Sequence, residues 1–454
     1  MTIAFNCNRM NQRCLLIADD LTGGADAGAQ FAKWGLNTIL IFLKDDAKID
    51  LPQYTHQEVL VINTDSRELS PGKASSLISN LFKNYNKNFF PIIYKKIDST
   101  LRGNIGYEID AILKGMNGAL CFMAPSYPEQ NRTLVGGILI VGEKPLALTE
   151  VARNTPSPVQ ESHVYKILQN QSHNHVGWID LTHVASTSER LQKAVEKEQQ
   201  KGNRIIILDA VSRRDLQNVA DVGFLMERRP LFVGSAGLAE EVAKKLSPSK
   251  RKRFQIVKPF KHILIISGTA SSVTHQQLRR IEKRNIPVFQ LNHSLILRAG
   301  TETENEKKEF SEKIANSLSQ GITLLKTPSE MLHSKDSNEL PIHLRITRAL
   351  ATVVLLALKA SKVEPPDLAV ILTGGETAQQ VINGLGTEGI EIEGELLEGI
   401  VKGHLIGGNW DGLSVITKAG AFGKEDALER IVEMLEAGSP LTQEGTRHEG
   451  LNQR

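Results

Sequence analysis

Short, unbroken apolar runs recur along the first half of the chain, at residues 14–18, 59–62, 92–94, 120–123, 205–208 and 231–233. Runs this short, with no polar position alternating, predict strands buried on both faces. Between them, residues 25–34 and 73–82 space their apolar side chains at helical intervals. This alternation predicts a parallel sheet covered by helices. The same pattern restarts near residue 257, with apolar runs at 262–266, 288–291, 322–325, 369–372 and 413–416. Residues 425–435 close it as an amphipathic helix, its apolar face carried by Ala427, Leu428, Ile431, Val432 and Leu435. The expected fold class is α/β, with two domains, each a mainly parallel sheet flanked by helices.

Length agrees with that division, because 454 residues exceed what a single core usually holds. The basic, helix-breaking stretch Ser247-Pro248-Ser249-Lys250-Arg251-Lys252-Arg253 marks the boundary. It separates an N-terminal domain (1–250) from a C-terminal domain (257–440), which a loose polar tail (441–454) follows. Charge changes little, since a net +3 spread along the sequence demands neither nucleic acid nor an anionic membrane. The basic run at 250–253 lacks the aromatic and further basic residues that a nucleic-acid reading would need. Cys7, Cys14 and Cys121 form no CxxC pair and leave an odd count. That argues against a disulfide framework or a zinc ribbon and fits a reducing cytoplasm. The first apolar run is too short for a signal-peptide core. The longest, 349–358, falls short of the roughly twenty residues of a membrane span and reads as a buried helix.

The chemistry gathers where the strands end, which in an open α/β sheet is where ligands bind. Run 14–18 ends in Asp19-Asp20, then Leu21-Thr22-Gly23-Gly24 and a helix. One aspartate could accept a hydroxyl proton while the other holds magnesium or a substrate hydroxyl; helix capping is the competing explanation. Run 59–62 ends in Asn63-Thr64-Asp65-Ser66-Arg67, where the Arg67 fork matches a carboxylate bidentately. A salt bridge within the loop would also account for it. Run 92–94 leads into Lys95-Lys96-Ile97-Asp98-Ser99-Thr100-Leu101-Arg102-Gly103-Asn104. Its cations suit an anion, and its carboxylate and hydroxyls suit polyol oxygens. Glu129, Gln130 and Arg132 add a fourth polar loop on a proline-containing turn.

In the second half, Thr373-Gly374-Gly375-Glu376-Thr377 joins run 369–372 to a helix at 378–382. Glycines there let backbone N–H groups and the helix dipole face a phosphate. Thr377 with Gln380 also matches a capping box, a purely structural alternative. Two more small-residue loops follow strands, Ser267-Gly268-Thr269-Ala270-Ser271-Ser272 and Thr417-Lys418-Ala419-Gly420-Ala421-Phe422-Gly423, and Lys418 could neutralise a phosphate. A P-loop is excluded by the absence of GxxxxGK[ST]. The GxGxxG string Gly384-Leu385-Gly386-Thr387-Glu388-Gly389 follows a helix, so it reads as helix termination. His163, His173, His175 and His183 lack the context of a zinc site.

Taken in order, Ala18-Asp19-Asp20-Leu21-Thr22-Gly23, Thr64-Asp65-Ser66-Arg67, the run from Lys95 to Asn104, Pro128-Glu129-Gln130, Gly234-Ser235-Ala236-Gly237-Leu238-Ala239 and Gly374-Gly375-Glu376-Thr377-Ala378 resemble the four-carbon acid sugar kinase family. The resemblance runs from about residue 14 to 435. It implies an N-terminal substrate domain, a C-terminal nucleotide domain, and ATP-dependent phosphorylation of D-threonate, D-erythronate or a 3-oxo-tetronate at the terminal hydroxyl. By position it assigns Asp19, Asp20, Arg67, Lys96, Asp98, Ser99 and Arg102 to substrate motifs. Ser267, Gly374, Gly375, Glu376, Thr377 and Gly420 fall in nucleotide motifs. Asn131 and Ala421 stand where the family usually has glycine, and a proline-containing turn is missing near residues 399–402.

The expected mechanism is in-line transfer from ATP with Mg2+, the metal ligands being left open. Arg67, with Lys96 or Arg102, would clamp the substrate carboxylate while Asp20 or Asp98 takes the hydroxyl proton. The implied partners are a sugar acid and ATP, without nucleic acid or membrane; a homodimer is one arrangement the sequence admits. A nicotinamide-dependent oxidoreductase would need a strand–GxGxxG–helix unit. A non-catalytic sugar-acid sensor would need neither the acidic edge nor the glycine cradle.

Overall fold

The computed structural model describes residues 13–43, 49, 51–83, 85, 88–153, 158–247, 258–269, 271–297, 301–328 and 341–438. The boundary stretch at 248–257, the tail at 441–454 and Cys7 lie outside them. In the first half the strands are β1 (Cys14–Ala18), β2 (Thr38–Phe42), β3 (Val59–Asn63), β4 (Ile92–Lys96), β5 (Cys121–Ala124), β6 (Arg132–Val135), β7 (Ile138–Val141), β8 (Lys144–Pro145), β9 (Val176–Ile179), β10 (Ile205–Leu208) and β11 (Leu231–Gly234). In the second they are β12 (His262–Ser267), β13 (Val288–Gln290), β14 (Ile322–Lys326), β15 (Leu368–Thr373), β16 (Gly389–Leu397), β17 (Ile400–Ile406) and β18 (Ser414–Lys418). The helices that matter below are α1 (Leu21–Lys33), α2 (Pro71–Phe82), α3 (Ile105–Gly115), α4 (Ala236–Leu246), α5 (Ser272–Glu282), α6 (Ile342–Ala360), α7 (Gly375–Leu385) and α8 (Ala427–Ala437).

All strands but β6, β7 and β8, which form a small separate sheet, join one sheet in the order β13-β14-β12-β15-β18-β17-β16-β2-β3-β1-β4-β11-β5-β10-β9. Within each half the strands named by their apolar runs pair in parallel, as β1 does with β3 and β4, and β15 with β12 and β18. What joins the halves is the hairpin β16–β17. Its first strand pairs antiparallel with β2 and its second antiparallel with β18. Irregular register near Ile392/Gly394 and Glu395/Leu397 bends the hairpin, as bulges do.

Three antiparallel steps make the parallel strands of the two halves run in opposite senses. Twist offsets this: the six steps from β15 to β1 at roughly 20–25° each turn the strands by roughly 120–150°. The ends of β15 and β1 therefore swing toward a common crevice.

The apolar face that holds α1, α4, α6 and α7 is a single core. It packs Leu16, Phe31 and Leu40 of the first half with Leu264, Leu350 and Val370 of the second. α2 and α3 cover the opposite face of the first half, and α5 and α8 that of the second. Residues 349–358 fall inside α6, and among the described residues no helix is long and apolar enough to cross a membrane. Cys14 and Cys121 are buried free thiols.

Candidate functional site

Asp20 caps α1: its Oδ1 accepts from the Gly23 N–H at 3.0 Å and its Oδ2 from Thr22 Oγ1 at 2.8 Å. Capping does not exhaust it, because Arg67 Nη2 donates to the same Oδ1 at 2.7 Å. Arg67 also grips Asp19 with both prongs, Nε to Oδ2 at 2.9 Å and Nη2 to Oδ1 at 3.0 Å. This is a buried link between the ends of β1 and β3, Asp19 being 3 % exposed, rather than a salt bridge within one loop. Burial alone would raise the Asp19 carboxyl, but Arg67, with Lys95 and Lys96, outweighs it and holds Asp19 below the usual carboxylate range. The expected carboxylate clamp at Arg67 is thus already engaged by protein carboxylates through Nε and Nη2.

Neighbouring residues on a strand face opposite ways, and that separates the two lysines of β4. Lys95 turns toward α3 and meets Glu108 at 2.6 Å with both side chains fully buried. Lys96 turns toward α1, where its ammonium donates to the Ile97 carbonyl at 2.9 Å and would lie 3.1 Å from a methyl placed on Gly23. Beyond the strand, Asp98 is held by its own loop. Arg102 donates to it through Nε (2.5 Å) and Nη2 (3.1 Å), and Thr100 through Oγ1. Although buried, Asp98 is kept well below the carboxylate range, chiefly by Arg102 and then Arg67. A carboxylate so stabilised is a poor proton acceptor. Ser99 is buried in the same loop.

The proline-containing turn divides its residues. Glu129 pairs away with Arg213, while Asn131 takes the left-handed conformation (φ 54°, ψ 40°) that the turn needs. Arg132 enters the crevice and lies over the Phe422 ring, 5.4 Å from its centroid, so it touches the second half.

In the second half, Gly374 is the N-cap of α7 with φ 97° and ψ 128°, a conformation open essentially to glycine, and no side chain caps the helix. The capping box of Thr377 and Gln380 is not formed; Gln380 donates instead to Glu376 at 2.9 Å. The first N–H groups of α7 therefore stay available to an anion. Loops after β12, β15 and β18 converge here. A methyl on Gly420 would lie 2.6 Å from Thr269 Oγ1, and one on Gly374 3.1 Å from Thr269 Cβ. Ser267 ends β12 and is buried beside them, and Thr377 Oγ1 closes on Gly268. Lys418 does not reach out. Its ammonium is buried and donates to Thr274 Oγ1 (3.1 Å) and the Ala419 and Gly420 carbonyls (3.0 and 3.3 Å), and burial pushes it down to about 7. It shapes the loop, which corrects the expectation that it neutralises a phosphate.

The two constellations meet. A methyl on Gly375 would lie 3.1 Å from Thr22 Oγ1 and 3.3 Å from Asp20 Oδ2, so the N-termini of α1 and α7 abut. Asn63 Nδ2 adds a hydrogen bond to Gln379 Oε1 at 2.6 Å. Asp65 stands exposed at the same mouth, where desolvation by the surrounding protein and then the charges of Glu376 and Asp20 push it up, to about 6. Beside Arg67, a cavity of about 320 Å³ is lined by Leu69, Leu101, Gly103, Asn104 and Gln171.

Residues 14–242 match the model of a sugar-binding N-terminal domain, and residues 264–428 that of a nucleotide-binding C-terminal domain. Over 438 residues the chain is 30 % identical to a D-threonate kinase of Salmonella typhimurium, covering 93 % of this chain and 99 % of that one. The chain belongs to the four-carbon acid sugar kinase family. Other relatives of this acid sugar kinase are a D-erythronate kinase of Heliobacterium modesticaldum (29 % over 437 residues; 93 % and 96 % covered) and a 3-oxo-tetronate kinase of Brucella melitensis (26 % over 430 residues; 91 % and 94 % covered). Solved structures from Salmonella typhimurium LT2 (TM-score 0.74, 21 % identity, 94 % and 98 % covered) and Haemophilus influenzae (TM-score 0.69, 22 %, 93 % and 100 %) share its fold. Nothing in these matches supports an oxidoreductase or a non-catalytic sensor.

Two residues of this kinase's crevice were not assigned from sequence. Asp65 was passed over inside its motif. Asp26 carried one readable signal, its spacing three and four positions after Gly23 and Thr22, which puts it on their face of α1.

Proposed function

We propose that this kinase transfers the γ-phosphoryl group of ATP to the terminal hydroxyl of D-erythronate or D-threonate. The observation that carries this reading is the abutment of the uncapped α7 N-terminus on Asp20 and Thr22. It sets an anion cradle against a polyol-binding edge, and phosphoryl transfer needs chiefly such positioning and charge neutralisation. The amides of Gly375, Glu376 and Thr377 would hold ATP phosphates, with Ser267 and Gly420 forming the walls. Lys96, Arg132 and Arg67 would hold the acid, with Asp19, Ser99 and Arg102 fixing their loops. The tetronates without a 3-oxo group are favoured because relatives named for them reach 29–30 % identity, against 23–26 % for the 3-oxo-tetronate kinases.

Mg2+ fits the mouth of the cradle. Asp20, Asp65 and Glu376 crowd negative charge there. Among the described residues no group of three or more acidic, histidine or cysteine side chains is placed to hold a metal ion, so Mg2+ would take one or two of these carboxylates and complete its shell with phosphates and water. Bound with ATP, it would supply neutralisation of phosphate charge. With ATP as its donor, the proposed reaction is a cytoplasmic one.

The test is ADP release from ATP and Mg2+ with D-threonate, L-threonate, D-erythronate and their 3-oxo forms in turn. ADP is expected with D-erythronate or D-threonate; release with the 3-oxo acids alone, or with none, would sink the assignment. The cradle has its own check. Gly374→Ala, which forces a Cβ onto a left-handed backbone at a cost of roughly 1–3 kcal/mol, is expected to raise KM for ATP by about thirtyfold. KM for the sugar acid should stay within about threefold.

A further inference from the structure

Two buried polar groups in the crevice each leave one atom unmet. Asp26 of α1 is 5 % exposed and Arg132 of β6 is 7 % exposed. Among the described residues, neither Asp26 Oδ1 nor Arg132 Nε has a hydrogen-bond partner. Buried polar atoms are nearly always satisfied, so an unmet carboxylate oxygen and an unmet guanidinium donor in the same crevice point to a ligand that completes both. The groups facing Asp26 come from several elements: Lys96 of β4, Arg132 of β6, Glu395 of β16, Glu398 of the turn after it, and Tyr94 and Tyr127.

Position along α1 tells what Asp26 does. Thr22 touches the phosphate cradle at Gly375, the Lys96 ammonium sits over Gly23, and Asp26 lies one turn further on the same face. A phosphate hydrogen-bonded to the α7 amides places an in-line attacking oxygen about 6 Å from them. One helical turn is about 5.4 Å. Asp26 thus lies about one turn beyond the contact of Thr22 with the cradle, the separation that an attacking oxygen would have, whereas Asp20 abuts the cradle itself. Asp20 already accepts from Gly23, Thr22 and Arg67, and Asp98 is tied to Arg102.

Resting on the kinase reading above, we propose that Asp26 is the general base, its Oδ1 taking the proton of the attacking hydroxyl while Lys96 and Arg132 bracket the anionic acid. The hydroxyl O–H bond breaks toward Asp26 as the new O–P bond forms at the γ-phosphorus. The bond from that phosphorus to the bridging oxygen breaks, and its electron pair leaves on ADP. Burial, opposed in part by Lys96 and reinforced by Glu395 and Glu398, pushes Asp26 up to about 7, where a base works best near neutral pH.

The test uses the full chain, ATP, Mg2+ and the tetronate that the wild type turns over. Asp26→Asn is expected to lower kcat about a hundredfold while KM for ATP moves less than about threefold. The acid limb of the wild-type kcat profile, set near 7, should vanish in the variant. Thermal unfolding without substrate gives an independent readout. Because the folded carboxyl is raised above its unfolded value of about 3.9, its charge destabilises the wild type increasingly as pH climbs from about 4 to 7. The Asn variant should therefore melt higher than wild type at pH 8, the gap closing toward about pH 4. A kcat within about fivefold of wild type, or an acid limb unmoved in the variant, overturns the assignment and passes the role to Asp20. A wild type that turns over no sugar acid overturns the kinase reading and the base with it, a failure seen before any variant is compared.

Discussion

Arg67→Ala is expected to destabilise the protein by about 3–5 kcal/mol, the cost of stranding a buried charge, and to lower turnover at least about a hundredfold. The stability loss follows from Asp19, which is 3 % exposed and loses both guanidinium prongs at once. The turnover loss follows from Asp20, whose Oδ1 is fixed by Arg67 where α1 meets Gly375. Arg67→Lys keeps the charge without the fork, so it should recover part of the stability and little of the turnover. The pH dependence has a definite sign. Asp19 is held below its unfolded value, so its pairing contributes fully above about pH 4 and is lost as pH falls through the depressed folded value. The gap between wild type and Arg67→Ala in urea denaturation should be widest near neutrality and narrow in acid. A variant within about 1 kcal/mol of wild type at pH 7 would refute the argument, because that is the range of an exposed pair.

Most of each half's sheet could be read from sequence because most of its strands are buried on both faces and so are unbroken apolar runs, whereas β2 and the half-exposed β9 were missed. The run at 14–18 coincides with β1, and the polar residues that follow it do lie at the crevice. The link between the halves was not legible. β16 alternates apolar Ile390 and Ile392 with Glu391 and Glu393, and irregular register breaks its alternation. Nothing local says that it will pair with β2, more than three hundred residues earlier. The site divides the same way. Residue types at strand ends marked the crevice, but partners were invisible: Arg67 looked free to grip a substrate, and Lys418 looked able to neutralise a phosphate. Both turn out to be satisfied by groups distant in sequence or by their own loop. Asp26 was hidden by its setting, a lone carboxylate in an alanine- and glycine-rich helix, where sequence gives no measure of what surrounds it.

The adjacent lysines of β4 allow a prediction in which one residue step reverses the outcome. Lys95→Met is expected to cost about 3–5 kcal/mol, since it leaves Glu108 charged and buried without a cation. The pair is 2.6 Å apart with exposures of 0 % and 1 %. Glu108 would keep only Ser66 Oγ, at 2.5 Å, which cannot balance a charge. Replacing both partners, Lys95→Met with Glu108→Leu, should recover most of that loss, because a buried ion pair and a well-packed apolar pair are often nearly equivalent in stability. Ser66 is not stranded by this, since its hydroxyl also meets Thr64 Oγ1 at 2.8 Å. Lys96→Met, one position along, should do the opposite. Its buried ammonium feels the charge of Asp26 and, among the described residues, is bound only to a carbonyl in its own loop. Stability should move by less than about 1 kcal/mol, while KM for the sugar acid rises at least about tenfold. Equal stability losses for Lys95→Met and Lys96→Met would mean that the period of the strand does not separate a core ion pair from the substrate's cation.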